Sequence, residues 1–166
     1  ILDSALSSQA RLECARILAE ASGPRGMVAG QVLDTLCDVR DEAGLTQLDR
    51  LKTCAMISAA AELGCVAAGM DAEKRRQARE FGDGLGLAFQ LRDDILDVTS
   101  TAEELGKPIH SDEKNHKTTY VTLMGIEKAS QQVAELSEEA VKLLEGLNKK
   151  NEFLFTLVKE LVGRRK

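Results

Sequence analysis

Three aspartates and a glutamine interrupt an otherwise apolar stretch at residues 89–97. They are Gln90, Asp93, Asp94 and Asp97. At about 100° per residue, these four positions share one face of an α-helix. Carboxylates that lie so close repel one another and destabilise a helix, so this face is expected to meet a strong cation. Because carboxylate oxygens with room for water and phosphate ligands suit Mg²⁺, the stretch predicts a magnesium site.

A solvated helix face is the simpler interpretation of such an acidic stripe. The other side of the same segment carries Leu91, Ile95 and Val98, while Phe89 and Leu96 flank the acidic positions. A helix that is apolar around much of its circumference is expected to be buried. The pattern therefore favours metal binding over a solvated face.

Two pairs of polar residues lie in predicted helices before the stripe. Lys52 and Thr53 are adjacent, and alone they indicate little because most helical lysines are solvated. Gln31 and Asp34 are three residues apart on an apolar helix. From the residues alone, a satisfied polar pair at a helix–helix contact is the better interpretation of Gln31 and Asp34.

A basic loop follows the acidic stripe at residues 107–117. It contains Lys107, Lys114 and Lys117. A solvated loop is the simple interpretation. Its position directly after the acidic helix makes a lid that closes over a diphosphate a serious alternative.

Helical periodicity runs through the chain, and no stretch alternates as a β-strand does. The predicted helices cover residues 4–21, 27–37, 46–69, 71–98, 118–147 and 152–162, with a candidate break at Gly125 and a short turn at 101–106. Thr46 and Asp49 resemble a capping box that opens the third helix, and Asp71 is expected to cap the fourth. The aspartate stripe therefore lies on the fourth helix, and Lys52 lies on the third.

The fourth predicted helix contains Gly82, Gly84 and Gly86. Each glycine inside a helix costs up to about 1 kcal/mol relative to alanine. Close packing against another helix would offset that cost, and so would space for a ligand beside the backbone. Close packing is the expected explanation.

Composition limits the class of protein. The 166 residues are 43% hydrophobic and 30% charged, which is typical of one soluble globular domain. The net charge of −5 argues against nucleic acid as the main partner, and no apolar run is long enough to span a membrane. The first residues contain neither an initiator methionine nor a leader pattern, so we expect an internal fragment of a longer protein. Buried, reduced thiols of a cytosolic protein are expected at Cys14, Cys37, Cys54 and Cys65.

Together these residues resemble the C-terminal half of a trans-isoprenyl diphosphate synthase of the farnesyl or geranylgeranyl type. The most specific similarity is the pattern G-x-A-F-Q-x-x-D-D-I-L-D at residues 86–97. Weaker similarities follow in family order at residues 30–34, 52–53, 105–107, 112 and 117–120. The resemblance implies an all-α isoprenoid-synthase bundle around a central cavity. Residues 1–166 would form the C-terminal part of a single polyprenyl synthase domain.

The resemblance also implies two groups of charged site residues. The group that binds Mg²⁺ would be Asp93, Asp94 and Asp97, with Asp93 as a direct ligand. The group that contacts the allylic diphosphate would be Lys52, Lys107 and Lys117.

Uncharged residues would line the reacting part of the allylic substrate. By the same resemblance these are Thr53, Gln90 and Gln31, whose oxygen dipoles can stabilise developing positive charge. Lys52, Thr53 and Gln90 form the implied catalytic set, and Asp34 is a weaker correspondence.

The implied activity is a Mg²⁺-dependent head-to-tail condensation of isopentenyl diphosphate with an allylic diphosphate. Its product would be a short-chain (C15–C20) prenyl diphosphate, made by a cytoplasmic homodimer. The first aspartate-rich motif of the family does not occur in these residues, so this chain alone is expected to be inactive. One alternative is a non-catalytic subunit that pairs with an active synthase, although such subunits tend to lose aspartate-rich motifs. A plain helical interaction module would not explain the ordered series from Gln31 to Lys107.

Overall fold

Helices make up all the secondary structure of residues 1, 3–100, 117–147 and 152–164, the part of the chain that the computed structural model describes. This confirms the predicted all-α class. The helices are α1 Ser8–Ser22, α2 Met27–Leu36, α3 Glu42–Asp49, α4 Ala55–Ala67, α5 Ala72–Thr99, α6 Tyr120–Met124, α7 Ile126–Leu147 and α8 Glu152–Gly163, with a π-helical segment at Arg50–Cys54. The predicted turn at 101–106 and most of the basic loop lie outside the described residues.

Helix α5 forms the centre of the described bundle. It packs against α7 on one side and against α4 and the π-helical segment on another. Leu91 and Ile95 belong to a buried cluster with Tyr120 of α6. Nearer the start of α5, Phe81 and Leu85 are buried among residues of α7 and α8. The aspartate stripe therefore lies on the element that the rest of the bundle surrounds.

Close packing explains two of the three glycines of α5. A Cβ on Gly82 would lie 2.4 Å from Ser58 Cα, and a Cβ on Gly86 would lie 2.7 Å from Cys54 Sγ. Gly84 differs, because the nearest atom to its added Cβ is 3.9 Å away. The glycines on the α4 side thus let two helices approach closely, as expected, whereas Gly84 meets no such neighbour.

Helix α3 begins before the predicted capping box. The Asp41 side chain caps α3 by accepting a hydrogen bond from the Gly44 N–H at 2.7 Å. Thr46 and Asp49 lie inside the helix, so the prediction that they open it is wrong. An Asp side chain can satisfy a free N–H at a helix start, and Asp41 supplies this cap one turn earlier.

Other predicted helix ends are close to the observed ones. Asp71 accepts a hydrogen bond from the Lys74 N–H at 2.9 Å and caps α5, as predicted. The predicted break at Gly125 separates α6 from α7, and the positive φ of 83° there suits glycine. Helix α1 starts at Ser8 instead of residue 4, because Ser7 accepts a hydrogen bond from the Ala10 N–H.

A π-helical segment, Arg50–Cys54, joins α3 to α4. The Ala55 N–H bonds back to the first carbonyl of the segment, five residues earlier. Such wide turns often occur at functional sites, and this one carries Lys52 and Thr53. Gly30 of α2 packs on it so closely that a Cβ would lie 2.2 Å from Lys52 N.

The cysteines follow the prediction with one exception. All four are thiols, and Cys14, Cys54 and Cys65 are buried. Cys37 is exposed, which corrects the prediction for this residue, since α2 ends at Leu36 and Cys37 lies in the extended segment that follows. None of the described helices combines the length and the apolar character needed to cross a membrane.

Candidate active site

A cavity of about 430 Å³ brings the predicted charged residues together. Its walls come from α2, the end of α3, the π-helical segment, α5 and the residues just before α6. The charged and amide side chains that line it are Asp34, Asp38, Asp49, Lys52, Gln90, Asp93, Asp94 and Lys117. Five of the nine predicted site residues therefore line one cavity: Lys52, Gln90, Asp93, Asp94 and Lys117.

Asp34 connects two of the predicted diphosphate contacts. Lys52 Nζ lies 2.7 Å from Asp34 Oδ2, and Lys117 Nζ lies 2.8 Å from Asp34 Oδ1. Burial raises the pKa of Asp34, but the hydrogen bonds from Lys117 and Lys52 outweigh burial, so the pKa lies below its ordinary value. One carboxylate thus holds two ammonium groups side by side, which is a suitable arrangement for a multivalent anion.

Gln31 lies apart from this cluster. It is exposed, its side-chain amide donates to Thr35 Oγ1 at 3.2 Å, and it is not among the residues that line the cavity. Asp34 pairs with Lys52 and Lys117, so the prediction from the residues alone that Gln31 and Asp34 form a satisfied polar pair is wrong. A substrate contact of Gln31 remains a prediction.

Thr53 and Gln90 meet across two elements. The Thr53 hydroxyl donates to Gln90 Oε1 at 3.3 Å, which joins the π-helical segment to α5. Gln90 lines the cavity beside Asp93. The hydrogen bond orients the Gln90 amide, so two of the three predicted catalytic residues act as one polar unit.

The aspartate stripe is mostly buried, and a solvated face does not describe it. Asp94 is 7% exposed and Asp97 is 3% exposed. Asp94 Oδ2 accepts a hydrogen bond from the Tyr120 N–H at 2.9 Å. Asp93 is more open, and its Oδ1 lies 3.1 Å from a guanidinium nitrogen of Arg164. Val98 was predicted to lie on the apolar side but is 40% exposed, since α5 ends one residue later.

The donor chemistry of Asp93 and Asp94 fits Mg²⁺, because both carboxylates line a cavity that also holds lysines for phosphate. Asp97 is buried and is not among the lining residues. Within the described ranges, no group of three or more His, Cys, Asp or Glu residues is arranged to hold a metal ion by itself. A metal here would therefore need oxygen ligands from water or substrate as well.

Asp49 is a cavity residue that the motifs did not single out. It is 4% exposed, and its Oδ2 is buried without a hydrogen-bond partner among the described residues. Burial raises the pKa of Asp49 to about 7, although the nearby Tyr120 hydroxyl and the charge of Lys52 oppose the shift. In the sequence, the feature that could have identified Asp49 as a buried residue is its position on an apolar helix face with Leu45 and Leu48.

Tyr120 and Arg164 also support the site. The Tyr120 hydroxyl lies 3.2 Å from Thr46 Oγ1, and burial raises the pKa of the phenol well above its ordinary value. Arg164 stacks on Phe89 at 4.0 Å, and its carbonyl accepts hydrogen bonds from Arg92. No spacing pattern links Arg164 to α5, because the contact spans 71 residues.

Lys107, predicted as a third diphosphate contact, lies outside the described residues, and that role remains a prediction.

The fold and the cavity define a class of protein: an all-helical bundle with lysines and carboxylates arranged around one polar site. The family model for polyprenyl synthetase matches residues 2–156. The chain therefore belongs to the polyprenyl synthetase family.

Individual relatives agree with this assignment. The chain is 39% identical over 134 residues to farnesyl diphosphate synthase of Geobacillus stearothermophilus, covering 80% of this chain and 45% of that protein. It is 41% identical over 134 residues to a chloroplastic geranylgeranyl pyrophosphate synthase of Capsicum annuum, covering 79% of this chain and 36% of the relative. The chain spans about half the length, or less, of these curated relatives.

A solved structure shows the same fold. Geranyltransferase from Helicobacter pylori, complexed with magnesium and isoprenyl diphosphate, superposes with a TM-score of 0.74 at 32% identity, covering 98% of this chain and 52% of that one. The predicted isoprenoid-synthase bundle is thus confirmed.

Proposed function

We propose that the protein is a Mg²⁺-dependent prenyltransferase that condenses an allylic diphosphate with isopentenyl diphosphate to form a C15–C20 prenyl diphosphate. One observation carries the proposal: Lys52 and Lys117 meet on Asp34 in the same cavity that Asp93 and Asp94 line. Membership of the polyprenyl synthetase family supports it, as do the names of the relatives.

The two lysines would bind the diphosphate of the allylic substrate. Hydrogen bonds between ammonium groups and phosphate oxygens are charge-assisted, and here Asp34 already holds both donors in place. Lys107 would add a third contact. Asp93, Asp94 and Asp97 would bind Mg²⁺. When bound, the ion would neutralise further negative charge on the diphosphate leaving group.

Neutralising the charge of the diphosphate makes it a better leaving group, and the proposed reaction begins with its departure. The allylic C–O bond breaks, its electron pair leaves with the diphosphate, and a resonance-stabilised carbocation remains. Thr53 and Gln90 would place oxygen dipoles near that positive charge. The double bond of isopentenyl diphosphate attacks the cation, and a proton passes to the departing diphosphate. The cavity would hold both substrates in register and exclude water.

Further protein surface is proposed to complete the site. Helix α2 exposes Val28, Val32 and Leu36 at four-residue spacing, and Leu36 is 77% exposed. Such an apolar stripe supports burial against more protein. We place this assembly in the cytoplasm as a homodimer.

The non-catalytic alternative gains no support from the described residues. The second aspartate-rich motif is intact, and Asp93, Asp94, Lys52 and Lys117 all line the cavity. A subunit without catalytic function would have no need to hold these groups together.

Turnover by the intact protein tests the proposal. Asp93→Ala is expected to lower Mg²⁺-dependent condensation by roughly a hundredfold, because it removes charge stabilisation of the leaving group. Asp83→Ala is the matched control, since Asp83 lies on the same helix, pairs with Arg50 at 3.2 Å and does not line the cavity. Condensation that is absent from the wild-type protein, or unchanged in Asp93→Ala, would contradict the proposal.

A further inference from the structure

Asp49 lines the proposed diphosphate cavity but has no role in the proposed reaction. It occupies the last residue of α3, directly before the segment that carries Lys52. The residue is 4% exposed, and its Oδ2 is buried with no hydrogen-bond partner among the described residues. A buried carboxylate with an unsatisfied oxygen is energetically costly unless it carries a proton. The local structure therefore favours the neutral acid.

Several charged or titratable groups surround Asp49. Lys52 lies three residues further along and attracts the ionised form, whereas Asp34 of α2 repels it. From α6, the Tyr120 hydroxyl also favours the ionised form of Asp49, and it donates its own hydrogen bond to Thr46 Oγ1 at 3.2 Å. The Cys54 thiol is also close enough for Asp49 to raise its pKa.

Helix α5 contributes further negative charge to the same space. Asp93 and Asp94 line the cavity together with Asp49 and Asp38. Every additional carboxylate opposes the binding of an anion, so the protonation state of the most buried one matters for a diphosphate.

The net charge of the lysine pair and Asp34 shows how Asp49 can affect the binding of a diphosphate. One carboxylate, Asp34, faces two ammonium groups, Lys52 and Lys117, which leaves one net positive charge. Ionised Asp49 would cancel that charge and compete with the ligand for Lys52. Neutral Asp49 leaves the net charge in place.

We propose that Asp49 is a positioning residue that acts as a neutral carboxylic acid and keeps the Lys52–Lys117 pair net positive for the diphosphate. This inference rests on the proposed function, because it assumes that the cavity binds a diphosphate. The pKa of about 7 agrees with it, since ionisation would then begin within the working pH range. Diphosphate binding should weaken as the pH rises above about 7.

Inorganic pyrophosphate and the intact protein, with excess MgCl₂, provide the test. The dissociation constant is measured by calorimetry from pH 6 to pH 8.5 for the wild type, Asp49→Asn and Asp49→Leu. Changes in pyrophosphate ionisation affect all three proteins alike, so the ratio of the wild-type Kd to the variant Kd isolates Asp49. That ratio should change little near pH 6 and should rise about tenfold by pH 8, as expected for a group with a pKa near 7.

The two neutral variants separate charge from shape. Asn keeps the size and polarity of Asp49, whereas Leu keeps only the size, yet their ratio to each other should stay constant across the pH range. If one variant fails to fold, the other still tests the proposal. Asp38→Asn is a control, because Asp38 lines the same cavity but its side chain is 68% exposed beside Arg40. This control should follow the wild-type pH profile.

Two outcomes would overturn the inference in different ways. If all proteins bind pyrophosphate and the ratios stay flat from pH 6 to pH 8.5, the role of Asp49 is wrong while the proposed function stands. If no protein binds pyrophosphate at any pH, the proposed function fails, and the role of Asp49 fails with it.

Discussion

The contact between Gly30 and the π-helical segment leads to a quantitative prediction for Gly30→Ala. The added Cβ would lie 2.2 Å from Lys52 N and 2.5 Å from Lys52 Cα. Favourable contacts between such atoms are about 3.5–4.0 Å long, so α2 would have to move away by more than about 1 Å. Because these are backbone atoms, no side-chain rotation can relieve the overlap.

The expected cost of Gly30→Ala combines two opposing effects. Alanine gains up to about 1 kcal/mol of helix propensity over glycine. Overpacking costs about 1–3 kcal/mol or more, and the displacement of α2 would also stretch the 2.7 Å contact between Asp34 and Lys52. We expect a net loss of about 2 kcal/mol in the free energy of unfolding, together with weaker pyrophosphate binding.

Urea unfolding and pyrophosphate calorimetry on the intact protein measure both effects. Gly84→Ala is the matched control, because the nearest atom to its Cβ would be 3.9 Å away. This control should retain binding and gain up to about 1 kcal/mol. A Gly30→Ala variant that is as stable as the wild type, or an equal loss of unfolding free energy in both variants, would refute this prediction.

Three further variants test the charges around the cavity. Asp34→Asn should lower the free energy of unfolding by about 1 kcal/mol at pH 7, since both lysine partners are partly exposed. Because the pKa of Asp34 is lowered in the folded protein, this difference in unfolding free energy is present above the ordinary pKa of Asp and should disappear as the pH falls through the lowered value. A difference that persists in acid would contradict this prediction. Asp49→Asn should match the wild type near pH 4 and be more stable by up to about 4 kcal/mol at pH 8, because a raised pKa of about 7 makes ionisation costly in the folded state. Urea unfolding across this pH range checks both variants. If Asp49→Asn were less stable than the wild type at pH 8, the second prediction would be refuted. Arg164→Gln removes a cation 3.1 Å from Asp93 and should lower the Mg²⁺ concentration for half-maximal turnover about threefold; an unchanged or higher requirement would show that the two cations do not compete.

The helical class and most helix ends could be predicted from the sequence because they depend on local interactions. Asp71 caps α5 through the N–H of a residue three positions away. Gly125 interrupts the last long helix because its backbone takes a positive φ. The capping prediction at Thr46 failed for a local reason as well, since Asp41 offers an equally suitable cap one turn earlier.

The position of the stripe on one helix face could also be predicted from the residues, whereas its burial could be predicted only in part. Helical spacing placed Asp93, Asp94 and Asp97 near one another. It did not show that Asp94 binds the backbone of Tyr120 or that Asp93 faces Arg164. Those contacts determine which carboxylates remain open toward the cavity.

By itself the sequence determined the types of site residue, their helical faces and the resemblance to prenyl synthases. Only the tertiary structure decided that Asp34 joins Lys52 to Lys117, which lies 83 residues after Asp34, and that Asp49 is buried beside them. Helical periodicity fixes the direction of a side chain within its own helix. Its partners and its access to water depend on how separate helices pack, and these determine the charge and protonation of the site.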